Sequence, residues 1–139
     1  MEYASSLWNV GYMGDMRLLE RVQRRWTREV SGLADLSYGE RLKSLDLFSF
    51  QGRLLRSDLI LVYKILHSMC AIGIDEIFVL NEVSSTRGHP FKLFKPRSRS
   101  ECRKRFFSLK VVNAWNSLPY DTVTAEIQHF YSMYMLTNL

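Results

Sequence analysis

The chain has 139 residues, 47% of them hydrophobic, with 19 Lys and Arg against 14 Asp and Glu and a net charge of +5. That length suits one domain, and so much apolar material excludes a disordered chain. Two cysteines are too few for a disulfide framework, no run approaches the ~18 apolar residues of a spanning helix, and Glu2 stands where a signal peptide needs a cation. The expectation is an intracellular protein of the nucleus or cytoplasm with no membrane partner.

The first predicted element is a helix from about Asp15 to Ser31. Asp15 can cap its first turn, and Gly32 can take the left-handed conformation that ends it. At about 100° per residue, Leu18, Leu19, Val22, Trp26 and Val30 share one face, which assigns them to the core. Arg17, Arg21, Arg24, Arg25 and Arg28 form an equally tight stripe on the other side, a candidate second wall for RNA or DNA. Glu20 with Arg24 and Arg25 with Glu29, each at i, i+4, would neutralise part of it.

Ser37 and Glu40 have capping-box spacing and open a short helix to about Leu45. Ser49 caps a third, from about Phe50 to Met69, whose Leu54, Leu55, Leu59, Leu61, Val62, Ile65, Leu66 and Met69 make it the central helix. Asp58 falls among those apolar positions. A buried carboxylate needs a partner, so Asp58 reads as a structural lock on an arginine, Arg41 or Arg87, or on a backbone group that it caps. A short apolar element follows over about Asp75 to Leu80. A helix is expected from Glu101 to Asn116, with Phe106, Phe107, Val111, Ala114 and Trp115 inward, stopped by Ser117-Leu118-Pro119. The last helix, about Thr124 to Leu136, carries Ile127, Phe130, Tyr131 and Tyr134. Aromatics near both ends, Trp8, Trp115 and Phe130, suggest that the two halves share a core.

Between these helices lies the tract that sets the charge balance. From Arg87 to Lys110 there are nine Lys and Arg against one acid, Glu101. The cations Arg87, Lys92, Lys95, Arg97, Arg99, Arg103, Lys104 and Arg105 are interleaved with Phe91, Phe94, Phe106 and Phe107. Such asymmetry points to a polyanionic partner, the phosphate backbone of RNA or DNA. Phe91, Phe94 or His89 could stack on unpaired bases, or the phenylalanines could plug into the core. Phe91 to Lys95 reads as a short strand or an extended arm; Arg97 and Arg99, two apart, would then face one side. The expected fold class is mainly α, a small helical bundle of about five helices with a short extended or β-hairpin basic insertion. It forms a single fragment-like domain, 1–139, with N-terminal helices over 1–83, the basic arm over 84–100 and C-terminal helices over 101–139.

An ordered series of segments carries a family resemblance. It runs Glu2-Tyr3-Ala4 with Leu7-Trp8, Leu19-Glu20-Arg21-Val22-Gln23-Arg24-Arg25, Leu36-Ser37-Tyr38 with Glu40-Arg41-Leu42, and Arg56 with Asp58-Leu59-Ile60 and Tyr63-Lys64-Ile65. Then come Arg87-Gly88-His89, Phe94-Lys95-Pro96-Arg97-Ser98-Arg99, and Phe106-Phe107-Ser108 leading to Trp115-Asn116-Ser117-Leu118-Pro119. Together they resemble the C-terminal end of the reverse-transcriptase polyprotein of non-LTR (LINE-type, jockey-like) retrotransposons. The resemblance implies a nucleic-acid-handling appendage of an RNA-directed DNA polymerase, downstream of its fingers and palm, with the polymerase core as a possible further partner.

Catalysis is not expected of the chain itself. The aromatic-x-Asp-Asp turn that holds the metal ions of such polymerases has no counterpart; Asp75-Glu76 is the only adjacent acidic pair, in a helical context. His67 and Cys70 have i, i+3 ligand spacing, but two ligands make no structural metal site. No Gly-rich phosphate loop or nucleophile constellation is present, so no cofactor is expected. The competing expectation is a structural or protein-interaction remnant without nucleic-acid binding of its own.

Overall fold

A computed structural model describes residue 6, residues 13–81 and residues 88–136. Trp8 and Arg87 lie outside the described residues. The fold is mainly α. Helix α1 spans Met13–Glu29, α2 Tyr38–Ser44 and α3 Phe50–Leu66. The short α4 spans Ile74–Ile77, and after the basic tract come α5 Glu101–Lys104, α6 Phe107–Lys110, α7 Val112–Asn116, α8 Tyr120–Thr124 and α9 Ile127–Leu136.

The local signals act as their chemistry requires. Gly32 has φ +81°, in the left-handed region that suits glycine. Ser37 and Glu40 form the full capping box, the Ser37 amide donating to Glu40 Oε2 at 2.8 Å. Ser49 Oγ accepts from the Gly52 amide at 3.1 Å, closing the first turn of α3. The far end of α3 departs from expectation. It stops at Leu66 instead of Met69, because Ser68 turns left-handed (φ +54°) and the Met69 amide closes back on the Lys64 carbonyl at 2.8 Å.

The core joins both halves of the chain. Leu59, Val62, Tyr63 and Ile65 of α3 pack with Phe78, Leu93, Val111, Val112, Trp115, Val123 and Phe130. The expected single helix over 101–116 is broken in two places. Phe106 is extended and opens α6, and Val111 separates α6 from α7. Leu109, Val111, Val112 and Trp115 are the buried residues of this segment. Phe106, expected inside, is 58% exposed. The last helix begins at Ile127, three residues later than expected, behind the unexpected short α8. Ala125 is extended, and its carbonyl accepts the Tyr63 hydroxyl before α9 begins. The side chains of Tyr131 and Tyr134 lie outside the described set.

Helix α1 docks on α2 and α3 with only part of its expected apolar face, Leu19 and Val30. Leu18, Val22 and Trp26 are 56%, 63% and 57% exposed. The inward face is instead Met16, Leu19, Glu20, Gln23, Thr27 and Val30, a rotation of about a quarter-turn. Polar bonds fix it there. Glu20 accepts from the Tyr38 hydroxyl and, at 2.8 Å, from the Phe50 amide at the start of α3. Gln23 donates to the Phe48 carbonyl at 2.7 Å and accepts from Arg53 at 2.6 Å. Burial first, then the bonded Glu20, raises the Tyr38 hydroxyl well above its ordinary range, so it remains a donor.

Asp58 is buried and locked, as expected, but among the described residues the partner is not Arg41, and Arg87 lies outside them. Lys110 of α6 lies 3.0 Å from Oδ2, and the Ser6 hydroxyl donates to Oδ1 at 2.8 Å. Arg41 is engaged at α1 instead. Removing the ammonium leaves a buried carboxylate uncompensated, whereas an apolar pair of similar volume does not. Lys110→Ala is therefore expected to cost about 3–5 kcal/mol in urea unfolding, and Asp58→Leu with Lys110→Met to be roughly neutral. A single variant as mild as a surface substitution would contradict this.

Candidate nucleic-acid interface

The basic tract has no helix before Glu101, and its backbone must be satisfied by long-range partners. Leu93 is the anchor, 1% exposed. On one side it forms an isolated antiparallel bridge with Leu80, closed by the Asn81 amide to the Lys92 carbonyl and the Phe94 amide to the Val79 carbonyl, both 2.8 Å. On the other side Asn116 of α7 takes the place of a neighbouring strand. Its Oδ1 accepts the Leu93 amide at 2.9 Å and its Nδ2 donates to the Leu93 carbonyl at 2.8 Å. A single bridge flanked by an amide side chain is not a hairpin, so of the two forms expected for the insertion the extended one is observed.

Trp115 fixes the tract upstream. It is fully buried, and its indole N–H donates to the Phe91 carbonyl at 2.8 Å. His89, a candidate for base stacking, is 3% exposed and meets the Trp115 ring edge-on. Its Nε2 contacts the Trp115 carbonyl at 3.2 Å, and its buried Nδ1 has no partner among the described residues. Burial is the main cause that holds His89 below histidine's ordinary 6.5, with Lys92 adding to it against the opposing Trp115 bond. His89 is a neutral core residue. Phe91 likewise turns inward, against the His67 ring. Of the three stacking candidates only Phe94 faces out, at 52% exposure.

The cations of the tract divide into two groups. Lys92 is half-buried against Gly88, where a Cβ would sit 2.7 Å from the lysine Cε. Lys104 is paired with Glu101, and half-buried Arg105 feels the same carboxylate. Lys95, Arg97, Arg99 and Arg103 are exposed, and no carboxylate among the described residues pairs with them. Arg97 and Arg99 flank a half-buried Ser98, in line with the expected alternation.

Arg17, Arg21, Arg24, Arg25 and Arg28 are all exposed along α1. The expected pairs with Glu20 and Glu29 do not form among the described residues; Glu20 is committed to Tyr38 and Phe50. Arg24 lies over the Tyr38 ring at 4.7 Å. Helix α1 is fixed through α2 and α3, and the tract through Leu80 and α7.

The remaining candidates are structural. His67 stacks on Tyr63 and reaches the Val123 carbonyl, and Cys70 bonds the Ile72 carbonyl, so the pair is not arranged around a shared ion. Among the described residues no group of three His, Cys, Asp or Glu could hold a metal, and no helix is long and apolar enough to cross a membrane. The Asn116 clamp and the buried Arg41 escape sequence reasoning; the only hint of the clamp is a second polar residue beside Trp115 at a helix end. No protein-family model, no curated protein and no solved structure matches this chain.

Asn116→Ala removes both bonds to Leu93 and leaves buried backbone groups unsatisfied. It is expected to cost about 1–3 kcal/mol and to speed hydrogen exchange at the Leu93 amide more than at core amides of α3. Unchanged exchange at Leu93 would rule out the clamp.

Proposed function

We propose that this chain is a nucleic-acid-binding C-terminal appendage of a non-LTR retrotransposon RNA-directed DNA polymerase, acting by electrostatic capture of RNA or DNA phosphates and not as an enzyme. The retrotransposon origin rests on the ordered motif series in the sequence. The binding role rests on one observation: Lys95, Arg97, Arg99 and Arg103 stand exposed, with no carboxylate partner among the described residues, beyond a backbone pinned at Leu93. Cations held on a fixed backbone lose little freedom on meeting phosphate, and they release condensed counterions from it. Exposed Phe94 and Phe106 are available beside them to stack on unpaired bases.

A second reading has its own observation. The exposed Leu18, Val22 and Trp26 of α1 suit a structural or protein-interaction role, with the polymerase core as one such partner. Salt separates the two, since apolar docking is nearly insensitive to it. Single-stranded RNA or DNA is expected to bind with a log–log salt slope that shrinks by roughly 0.7 per lost contact, so Arg97→Ala/Arg99→Ala/Arg103→Ala should flatten it by about 2. Equal affinity and slope in both proteins, measured by fluorescence anisotropy, would remove the tract as the site.

A further inference from the structure

Arg41 is only 7% exposed, yet no carboxylate among the described residues pairs with it. Its Nε donates to Thr27 Oγ1 at 3.3 Å and its Nη1 to the Leu36 carbonyl, both neutral acceptors. Its guanidinium also lies 5.8 Å from the Tyr38 ring centre. Glu20 holds Tyr38 and the Phe50 amide, Glu40 holds the Ser37 amide, and the exposed Glu29 on the same wall forms no ion pair with Arg41 among the described residues. A buried cation without a counter-charge is costly in the ligand-free protein.

Arg41 lines an open basin of about 530 Å³ between α1 and the turn and helix that follow it. The other charged groups on its wall are Arg21, Arg24, Arg25 and Arg28, with Glu29 as the single acid. That volume falls among those of small-ligand sites, roughly 300–1,000 Å³. Arg24 is already oriented by the Tyr38 ring, and guanidinium forks match phosphate oxygens two at a time. We propose that this basin is a phosphate site, built on the buried charge of Arg41 and walled by the arginines of α1. The shared chemistry is a run of linked phosphates, supplied either by a nucleic-acid backbone or by a free polyphosphate. The site is independent of the tract around Leu93.

The test uses tripolyphosphate at constant ionic strength and reads thermal unfolding of the full chain. Wild type and Arg97→Ala/Arg99→Ala/Arg103→Ala should both show a saturable rise in Tm. Arg24→Ala/Arg28→Ala, two exposed positions that leave the fold intact, should need at least about tenfold more ligand, as the loss of two charge-assisted contacts implies. Arg41→Met should lose the response, and should it not fold, the exposed double variant decides alone. An equal response of wild type and Arg24→Ala/Arg28→Ala, or no saturation in wild type, would overturn the proposal. Labelled single-stranded RNA then identifies the source. Weaker RNA binding by Arg24→Ala/Arg28→Ala assigns the basin to backbone phosphates, and unchanged binding assigns it to a free polyphosphate.

Discussion

A backbone segment that is neither helical nor in a sheet has to find hydrogen-bond partners wherever it enters the core, and here that requirement converges on Leu93. Its apolar side chain draws the tract inward, and its amide and carbonyl are then met by Asn116. The neighbouring peptide groups are met by Val79 and Asn81. With that one residue fixed on both sides, the chain upstream can bury Phe91 and His89 against Trp115, while the chain downstream leaves with its cations outward. The charge display is a consequence of how one apolar residue satisfies its backbone.

Helix α1 illustrates the same logic at the other end of the chain. Its docking is governed by Glu20, Gln23 and Thr27, whose polar atoms find partners on α2 and α3. Turning that face inward leaves Leu18, Val22 and Trp26 in solvent and commits Glu20 to Tyr38 and the Phe50 amide. The arginine stripe therefore keeps its charge. In both places the placement of positive charge follows from where a few buried polar groups are satisfied, and ion pairing has little part in it.

What could be read from the sequence was local or rested on a single group. The Ser37–Glu40 box, the Ser49 cap and the Gly32 turn involve atoms within a few residues of one another. Asp58 and Trp115 were legible as buried polar and aromatic anchors because their chemistry demands partners wherever they sit. The identity of those partners was not legible: Lys110 is brought to Asp58, and Asn116 to Leu93, by tertiary packing that no spacing encodes. The rotation of α1 was missed for a related reason. Periodicity ranks faces by hydrophobicity, whereas this interface is held by hydrogen bonds. The breaks at Phe106 and Ala125 escaped because neither residue is a helix breaker; the conformations are imposed by the packing of Val111, Trp115 and Tyr63.

The most direct test of the central claim is an amide chemical-shift titration of the full chain with a short single-stranded RNA at low salt. The account predicts that shifts concentrate between Phe94 and Arg105, while the amides of Leu80, Leu93 and Trp115 keep their positions. Shifts spread evenly over the molecule, or confined to the exposed apolar stripe of α1, would contradict it.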